Sequence, residues 1–232
     1  MNRPFVCDIE ALADDAWLLR FGDQLDPQLN DRVHATARRL DQLKPDWLRG
    51  LVPAFASLGV FFDPVADPAR IHEELLALLA MDETPAIGAS APAPRTVEIP
   101  VVYGGEFGPD LVAAAAELQM SPQQLISRHA SGVYTVAMIG FAPGFPYLAG
   151  LDPALALPRL ATPRARVAAG SVAIGGAQTG IYPRESPGGW RLLGRTPKVL
   201  FDPTRATPSL LLPGDRVRFV AIEADQFADA GP

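Results

Sequence analysis

Hydrophobic and polar positions in the first third of the chain follow patterns typical of alternating strands and helices. Residues 16–21 form a short apolar run that ends at Gly22. Asp26 and Pro27 are then the predicted N-cap and first residue of a helix that extends to Leu43. The apolar positions of this helix recur at spacings of three and four, which places them on one face; they are Leu29, Val33, Ala37 and Leu40.

Two further strands and a second amphipathic helix complete this region. Residues 51–62 predict two strands with a break near residues 57–59. The pair Asp67-Pro68 starts a helix whose apolar face is built from positions three and four apart; they are Ile71, Leu75, Leu78 and Leu79. We therefore predict a small α+β domain over residues 1–82.

Residues 83–95 have a different composition, rich in Pro, Ala, Gly and Ser with little to bury. Such a composition is typical of an exposed linker. We therefore place a domain boundary there and assign residues 96–232 to a second domain.

The second domain begins with a predicted strand over residues 97–103, a glycine-rich turn and a helix from Asp110. A strand, a glycine turn and a helix can cradle a phosphate. However, the glycine spacing fits neither a dinucleotide-binding nor a Walker motif, and Glu106 and Asp110 would repel an anion. We interpret this segment as a tight turn between strand and helix.

Short strand-like runs dominate the chain from Gly132 onward. Residues 132–151 carry no charge and predict a buried strand that ends at Pro143 and Gly144. A membrane span is disfavoured because prolines and glycines interrupt this stretch. Further strand-like runs cover residues 171–174, 180–182, 190–193, 199–201 and 217–221. This succession predicts a closed or nearly closed β-barrel, which the last run is expected to close.

Composition narrows the possible partners. The chain has 232 residues, 48% of them hydrophobic, and a net charge of -6. Such a charge disfavours nonspecific binding to nucleic acid or anionic membranes, so small molecules or proteins are the expected partners. Cys7 is the only cysteine and the N-terminus has no export signal. We therefore expect a cytoplasmic protein.

Two glycine-rich segments, residues 170–183 and 186–190, are the main candidates for ligand binding. Glycines let a backbone approach a ligand closely, and neighbouring N–H groups and neutral side chains suit a small carboxylate or amide. The alternative is a set of ordinary barrel turns, which need glycine as well. The candidate binding residues are Gly175, Gly176, Gln178, Thr179, Tyr182, Gly188, Gly189 and Trp190.

Candidate catalytic residues are few. His129 lies at the end of a predicted helix and could act as an acid or base near neutral pH, although a histidine at a helix end is often structural. Tyr134 and Gln178 are the other candidates. The pair His72-Glu73 lacks the second histidine of a zinc motif, so no metal is expected.

The second domain resembles the 5-oxoprolinase B-subunit family, also described as KipI-type or allophanate hydrolase subunit 1 proteins. The similarity extends through many segments in the same order, and these are Ile99–Gly105, Gly108–Leu111, His129, Tyr134, Gly140–Leu148, both glycine-rich segments up to Thr196, Phe201–Pro203 and Pro213–Phe219. The chain departs from the family pattern at Ala168, where proline is usual, and at Arg184-Glu185, where small neutral residues are commoner.

The resemblance implies a cyclophilin-like β-barrel after a small α+β domain. It also implies a protein that works with a sister barrel subunit (KipA-type, the C subunit of 5-oxoprolinase) and with a third protein (the A subunit of 5-oxoprolinase). Such complexes use ATP to open 5-oxo-L-proline to L-glutamate, and no cofactor is expected on this chain itself. Two alternatives remain: a KipI-type inhibitor of a sporulation histidine kinase, or a subunit of allophanate or urea carboxylase type.

Overall fold

The structure is a computed structural model that describes residues 7–80 and 94–231. The chain divides into two compact units, residues 1–93 and 94–232. Except for its last two positions, the predicted linker over residues 83–95 lies outside the described residues.

The N-terminal unit contains a four-stranded antiparallel sheet in the order β1-β2-β4-β3 and two helices. Its elements are β1 Asp8–Ala13, β2 Ala16–Arg20, α1 Pro27–Leu43, β3 Leu48–Pro53, β4 Ser57–Phe62 and α2 Pro68–Ala80. The predicted start of α1 is confirmed, since Asp26 Oδ1 accepts a hydrogen bond from Gln28 N at 2.7 Å. The predicted break near residues 57–59 is wrong: β4 begins at Ser57, and the turn occupies residues 54–56.

The C-terminal unit is a closed barrel of seven strands in the order β10-β7-β6-β13-β5-β12-β9. Its elements are β5 Thr96–Tyr103, α3 Leu111–Glu117, α4 Pro122–Ser131, β6 Val133–Ile139, β7 Pro146–Ala149, β8 Arg164–Val167, β9 Ser171–Gly175, β10 Gln178–Ile181, β11 Ser186–Gly188, β12 Arg191–Arg195 and β13 Arg216–Ala221. The predicted fold class, a small α+β part followed by a mainly β barrel, is therefore confirmed.

Strand β13 closes the barrel as predicted, because it pairs in parallel with β5 and antiparallel with β6. Val217 and Phe219 on this strand are buried, whereas Arg218 between them is exposed. The predicted strand at residues 199–201 is wrong, since only an isolated bridge joins Phe201 to Ser209. Strands β8 and β11 were not predicted and form a separate two-stranded sheet.

Residues 132–151 form β6, a loop and β7 within this barrel rather than one helix. Within residues 7–80 and 94–231, no helix has the length and hydropathy needed to cross a membrane.

Candidate functional site

An aromatic pocket of about 280 Å³ opens on the surface of the barrel unit. Its inner wall is a cluster of rings packed edge to face, with the centroid of Phe145 lying 5.2 Å from that of Tyr182 and 5.8 Å from that of Trp190. The complete lining is Phe141, Phe145, Tyr147, Arg159, Leu160, Pro163, Tyr182, Pro187, Gly188, Gly189 and Trp190. Aromatic walls with few polar groups are typical of sites for small organic ligands.

The loop between β6 and β7 supplies one wall of this pocket. Phe141 adopts a left-handed backbone conformation (φ 66°) and its side chain is 63% exposed. A bulky residue in this conformation is strained, and such strain is concentrated at functional sites. The loop is closed by a hydrogen bond from Phe145 N to Ala142 O at 3.0 Å. Phe141 is thereby held at the rim of the pocket.

Two of the predicted binding glycines make room for the aromatic rings of the pocket. A Cβ atom on Gly175 would lie 2.5 Å from the indole ring of Trp190. A Cβ atom on Gly188 would lie 2.3 Å from the Tyr182 hydroxyl. These glycines therefore let Trp190 and Tyr182 pack directly on backbone, which fixes the shape of the pocket.

The Tyr182 hydroxyl is one of the neutral polar groups among the lining side chains. Burial raises its pKa above the ordinary value, although a backbone hydrogen bond from Trp190 and the positive charge of Arg159 act in the opposite direction. The hydroxyl is therefore protonated at neutral pH and keeps a proton that it can donate to a ligand.

The segment 157–160, which carries Arg159, is attached to both glycine-rich segments. Gly176 N donates to Leu157 O at 2.7 Å, and Leu160 N donates to Gly189 O at 2.7 Å. The guanidinium carbon of Arg159 lies 5.7 Å from the centre of the Trp190 ring. This geometry is that of a cation–π contact and holds a positive charge beside the aromatic wall.

Asp110 bonds two residues that lie close in sequence to the pocket lining. Its carboxylate accepts hydrogen bonds from Arg164 Nη2 at 2.6 Å and from Leu192 N at 2.7 Å. Arg164 follows the lining residue Pro163, and Leu192 lies two residues after Trp190. Asp110 therefore acts within the fold as the partner of Arg164.

His129, a predicted catalytic candidate, is completely buried in the barrel core and does not line the pocket. Its Nδ1 lies 2.8 Å from Tyr103 Oη and its Nε2 lies 2.9 Å from Thr179 Oγ1. Because the Thr179 hydroxyl donates to Ala173 O, it must accept from His129 Nε2–H. Nδ1 is therefore the acceptor of the Tyr103 hydroxyl proton.

The protonation state of His129 is consistent with its burial in the barrel core. Burial lowers its pKa from 6.5 to about 3, so the ring is neutral at physiological pH. The ring stacks on Phe219 with centroids 4.7 Å apart. Tyr134 is buried as well and donates from its hydroxyl to the His129 carbonyl at 2.7 Å. In the structure these groups form a buried polar network, and a catalytic role for either residue stays a prediction.

The structure brings four of the eight predicted binding residues to the pocket: Tyr182, Gly188, Gly189 and Trp190. Thr179 belongs to the His129 network, and Gly176 lies in the exposed turn between β9 and β10. Gln178, at the start of β10, is half-buried and does not line the pocket. A role for Gln178 in binding or catalysis stays a prediction.

The pocket also contains residues that the sequence interpretation missed. Phe141, Phe145 and Tyr147 lie in the charge-free stretch 132–151, where their density in a proline-rich turn was the available signal. Arg159 had no local signal.

The described lining residues include no carboxylate, histidine, cysteine or serine. The pocket can therefore bind and orient a ligand, but these side chains supply no conventional nucleophile–base pair. In the described part of the chain, no cluster of three or more His, Cys, Asp or Glu residues could hold a metal ion.

Comparison with known proteins identifies the family. The model of the carboxyltransferase domain, subdomain C and D, matches residues 7–211. The B subunit of 5-oxoprolinase from Bacillus subtilis is 43% identical over 233 aligned positions, which cover 94% of each chain. The chain belongs to the 5-oxoprolinase B-subunit family.

Solved structures relate this member of the 5-oxoprolinase B-subunit family to longer chains. The structure of TTHA0988 has a TM-score of 0.77 and 42% identity, covering 90% of this chain and 40% of that one. The chain thus spans about two fifths of the length of that relative. The urea carboxylase of Kluyveromyces lactis has a TM-score of 0.72 at 18% identity, covering 98% of this chain and 23% of that one. At this identity the likeness shows a shared fold.

Proposed function

We propose that this chain is one component of an ATP-dependent 5-oxoprolinase complex that opens 5-oxo-L-proline to L-glutamate. The observation that carries the proposal is the 43% identity to the 5-oxoprolinase B subunit over 94% of both chains. Similarity over nearly the whole length covers both compact units rather than the barrel alone.

The aromatic pocket is the proposed site for the substrate, a small carboxylate or lactam. Its volume of about 280 Å³ is near the lower end of ligand pockets, which span roughly 300–1,000 Å³. Phe145 and Trp190 offer apolar faces for a five-membered ring, and the Tyr182 hydroxyl offers a hydrogen-bond donor. These features suit a ligand with an apolar ring and a polar edge.

We assign the opening of the lactam and its coupling to ATP to the complex with the partner subunits. Opening a lactam needs an activated nucleophile and stabilisation of the developing oxyanion, and coupling to ATP needs a phosphate site with Mg²⁺. We assign the ATP step to the complex that this chain forms with its two partners, the sister barrel protein (the C subunit) and the third protein (the A subunit). In this proposal the chain acts in the cytoplasm, binds no cofactor itself and is inactive alone.

Reconstitution with single omissions tests the proposal. The chain and its two proposed partners are purified separately and mixed, and release of glutamate and ADP from 5-oxo-L-proline is measured. We expect turnover in the complete mixture and none when this chain is left out or present alone. Turnover by the two partners without this chain would refute the proposed role.

A further inference from the structure

The pocket combines an aromatic wall with a single positive charge. Among its described lining residues, Arg159 is the one that carries a formal charge. A guanidinium is protonated throughout the physiological pH range and presents paired N–H donors that match a carboxylate. The charge at the pocket is therefore suited to an anionic ligand.

The neighbouring charges do not neutralise Arg159. Arg164 is paired with Asp110, and Arg191 with Glu117 at 3.0 Å. By contrast, no carboxylate of the described residues forms an ion pair with Arg159. The guanidinium of Arg159 instead lies over the Trp190 ring. Arg159 is thus the cation at this wall that has no acidic partner within the described chain.

The backbone around Arg159 is fixed on both sides. Arg191 Nε donates to Pro158 O at 3.2 Å, and Leu160 N donates to Gly189 O at 2.7 Å. Arg159 therefore projects from a segment whose two neighbouring residues are attached to the Trp190 region. Such preorganisation reduces the entropy that is lost when a ligand is bound.

We propose that Arg159 is the specificity-determining residue of the pocket and binds the carboxylate of a small cyclic carboxylic acid whose ring packs against Trp190 and Phe145. This inference rests on the proposed function and extends it, since it names the group that distinguishes the acid from the corresponding neutral lactam. It predicts that affinity depends on the ligand's negative charge and, separately, on its ring.

The test measures binding to the full chain without its partners, by ligand-observed NMR titration. The ligands are 5-oxo-L-proline and 2-pyrrolidinone, which keeps the lactam ring but lacks the carboxylate. Arg159→Gln is compared with Arg184→Gln, which removes another exposed arginine that does not line the pocket. Circular dichroism verifies that both variants are folded.

We expect Arg159→Gln to weaken 5-oxo-L-proline binding by about tenfold, the usual scale for one hydrogen bond to a charged group. Binding of 2-pyrrolidinone should be unchanged in this variant, and Arg184→Gln should bind both ligands like the natural chain. Equal affinity of Arg159→Gln and the natural chain for 5-oxo-L-proline would overturn the inference. So would an equal loss for both ligands, which would indicate a general disturbance of the pocket.

Failure of this inference and failure of the proposed function give different results. Turnover by the complete complex together with binding that is independent of Arg159 would refute the inference alone. Charge-dependent binding that requires Arg159, combined with a complete mixture that fails to turn over 5-oxo-L-proline, would refute the proposed function alone. A natural chain that shows no binding of 5-oxo-L-proline, alone or mixed with both partners, would overturn the inference.

Discussion

Asp110 and Arg164 form a two-point ion pair, with both terminal nitrogens of the guanidinium donating to the carboxylate at 3.0 and 2.6 Å. The pair joins the N-terminus of α3 to β8, and the same carboxylate accepts the Leu192 N–H of β12. Because Asp110 is 8% exposed, this pair is less screened by water than the exposed ion pairs of the barrel unit. It is expected to hold the pocket wall in place.

The first prediction concerns this ion pair. Asp110→Asn removes the charge that faces Arg164, and we expect a loss of about 2 kcal/mol in the free energy of unfolding, since breaking a largely buried pair leaves a charge without its partner. Chemical denaturation measures this loss. The matched control is Glu185→Gln, which breaks the exposed Arg166–Glu185 contact at 3.5 Å and should change stability by less than about 1 kcal/mol. Equal losses in the free energy of unfolding of the two variants would show that the Asp110–Arg164 pair stabilises the fold no more than an exposed ion pair does.

The second prediction concerns pH. The folded state keeps the pKa of His129 at about 3, below the ordinary 6.5, so between these values the unfolded chain binds a proton that the folded chain does not. The contribution of His129 to the free energy of unfolding is therefore fully present above pH 6.5. It decreases as the pH falls below this value, by up to about 1.4 kcal/mol per pH unit. Denaturation at pH 7.0, 6.0 and 5.0 measures the slope.

His129→Gln, which cannot take up this proton, provides the comparison for the pH series. The variant is expected to be less stable at pH 7 but to lose less stability between pH 7 and pH 5 than the natural chain. Parallel pH profiles for the two proteins would show that His129 is not buried in its neutral form.

The third prediction tests the packing of Trp190. Gly175→Ala places a methyl group where the indole ring lies, and overpacking of this kind costs about 1–3 kcal/mol. Gly189→Ala is the control because its added Cβ would meet Pro163 at an ordinary 3.6 Å. We expect a lower denaturation midpoint and a red-shifted tryptophan emission for Gly175→Ala only. The same small effect in both variants would contradict direct packing of Trp190 on Gly175.

Much of the fold could be predicted because its signals are local. The capping pair Asp26-Pro27 and the alternation around Val217 and Phe219 predicted α1 and β13 correctly. Strands β8 and β11 escaped prediction because they are only four and three residues long, with the sequences RARV and SPG. Residues 199–201 have the composition of a strand, but the fold provides only a single bridge for them.

The candidate site was predictable only in part, because several of its contacts join residues that lie far apart in the sequence. Tyr182 and Trp190 belong to glycine-rich segments whose composition suggested a role. Asp110 and Arg164 lie 54 residues apart, and Asp110 and Leu192 lie 82 apart, so no local pattern reveals their contacts. Asp110 was predicted to repel anions, whereas the structure pairs its charge with Arg164. Arg159 likewise acquires its significance only through the neighbours that the barrel brings to it.

If this chain provides the substrate pocket of a 5-oxoprolinase complex, the steady-state kinetics of the reconstituted complex will depend on Arg159. KM values for 5-oxo-L-proline and for ATP are measured with the natural chain, Arg159→Gln and Arg184→Gln. We predict that Arg159→Gln raises the KM for 5-oxo-L-proline by about tenfold and leaves the KM for ATP unchanged. In Arg184→Gln, both KM values should equal those of the natural chain. An unchanged KM for 5-oxo-L-proline in Arg159→Gln, or a rise confined to ATP, would contradict the account.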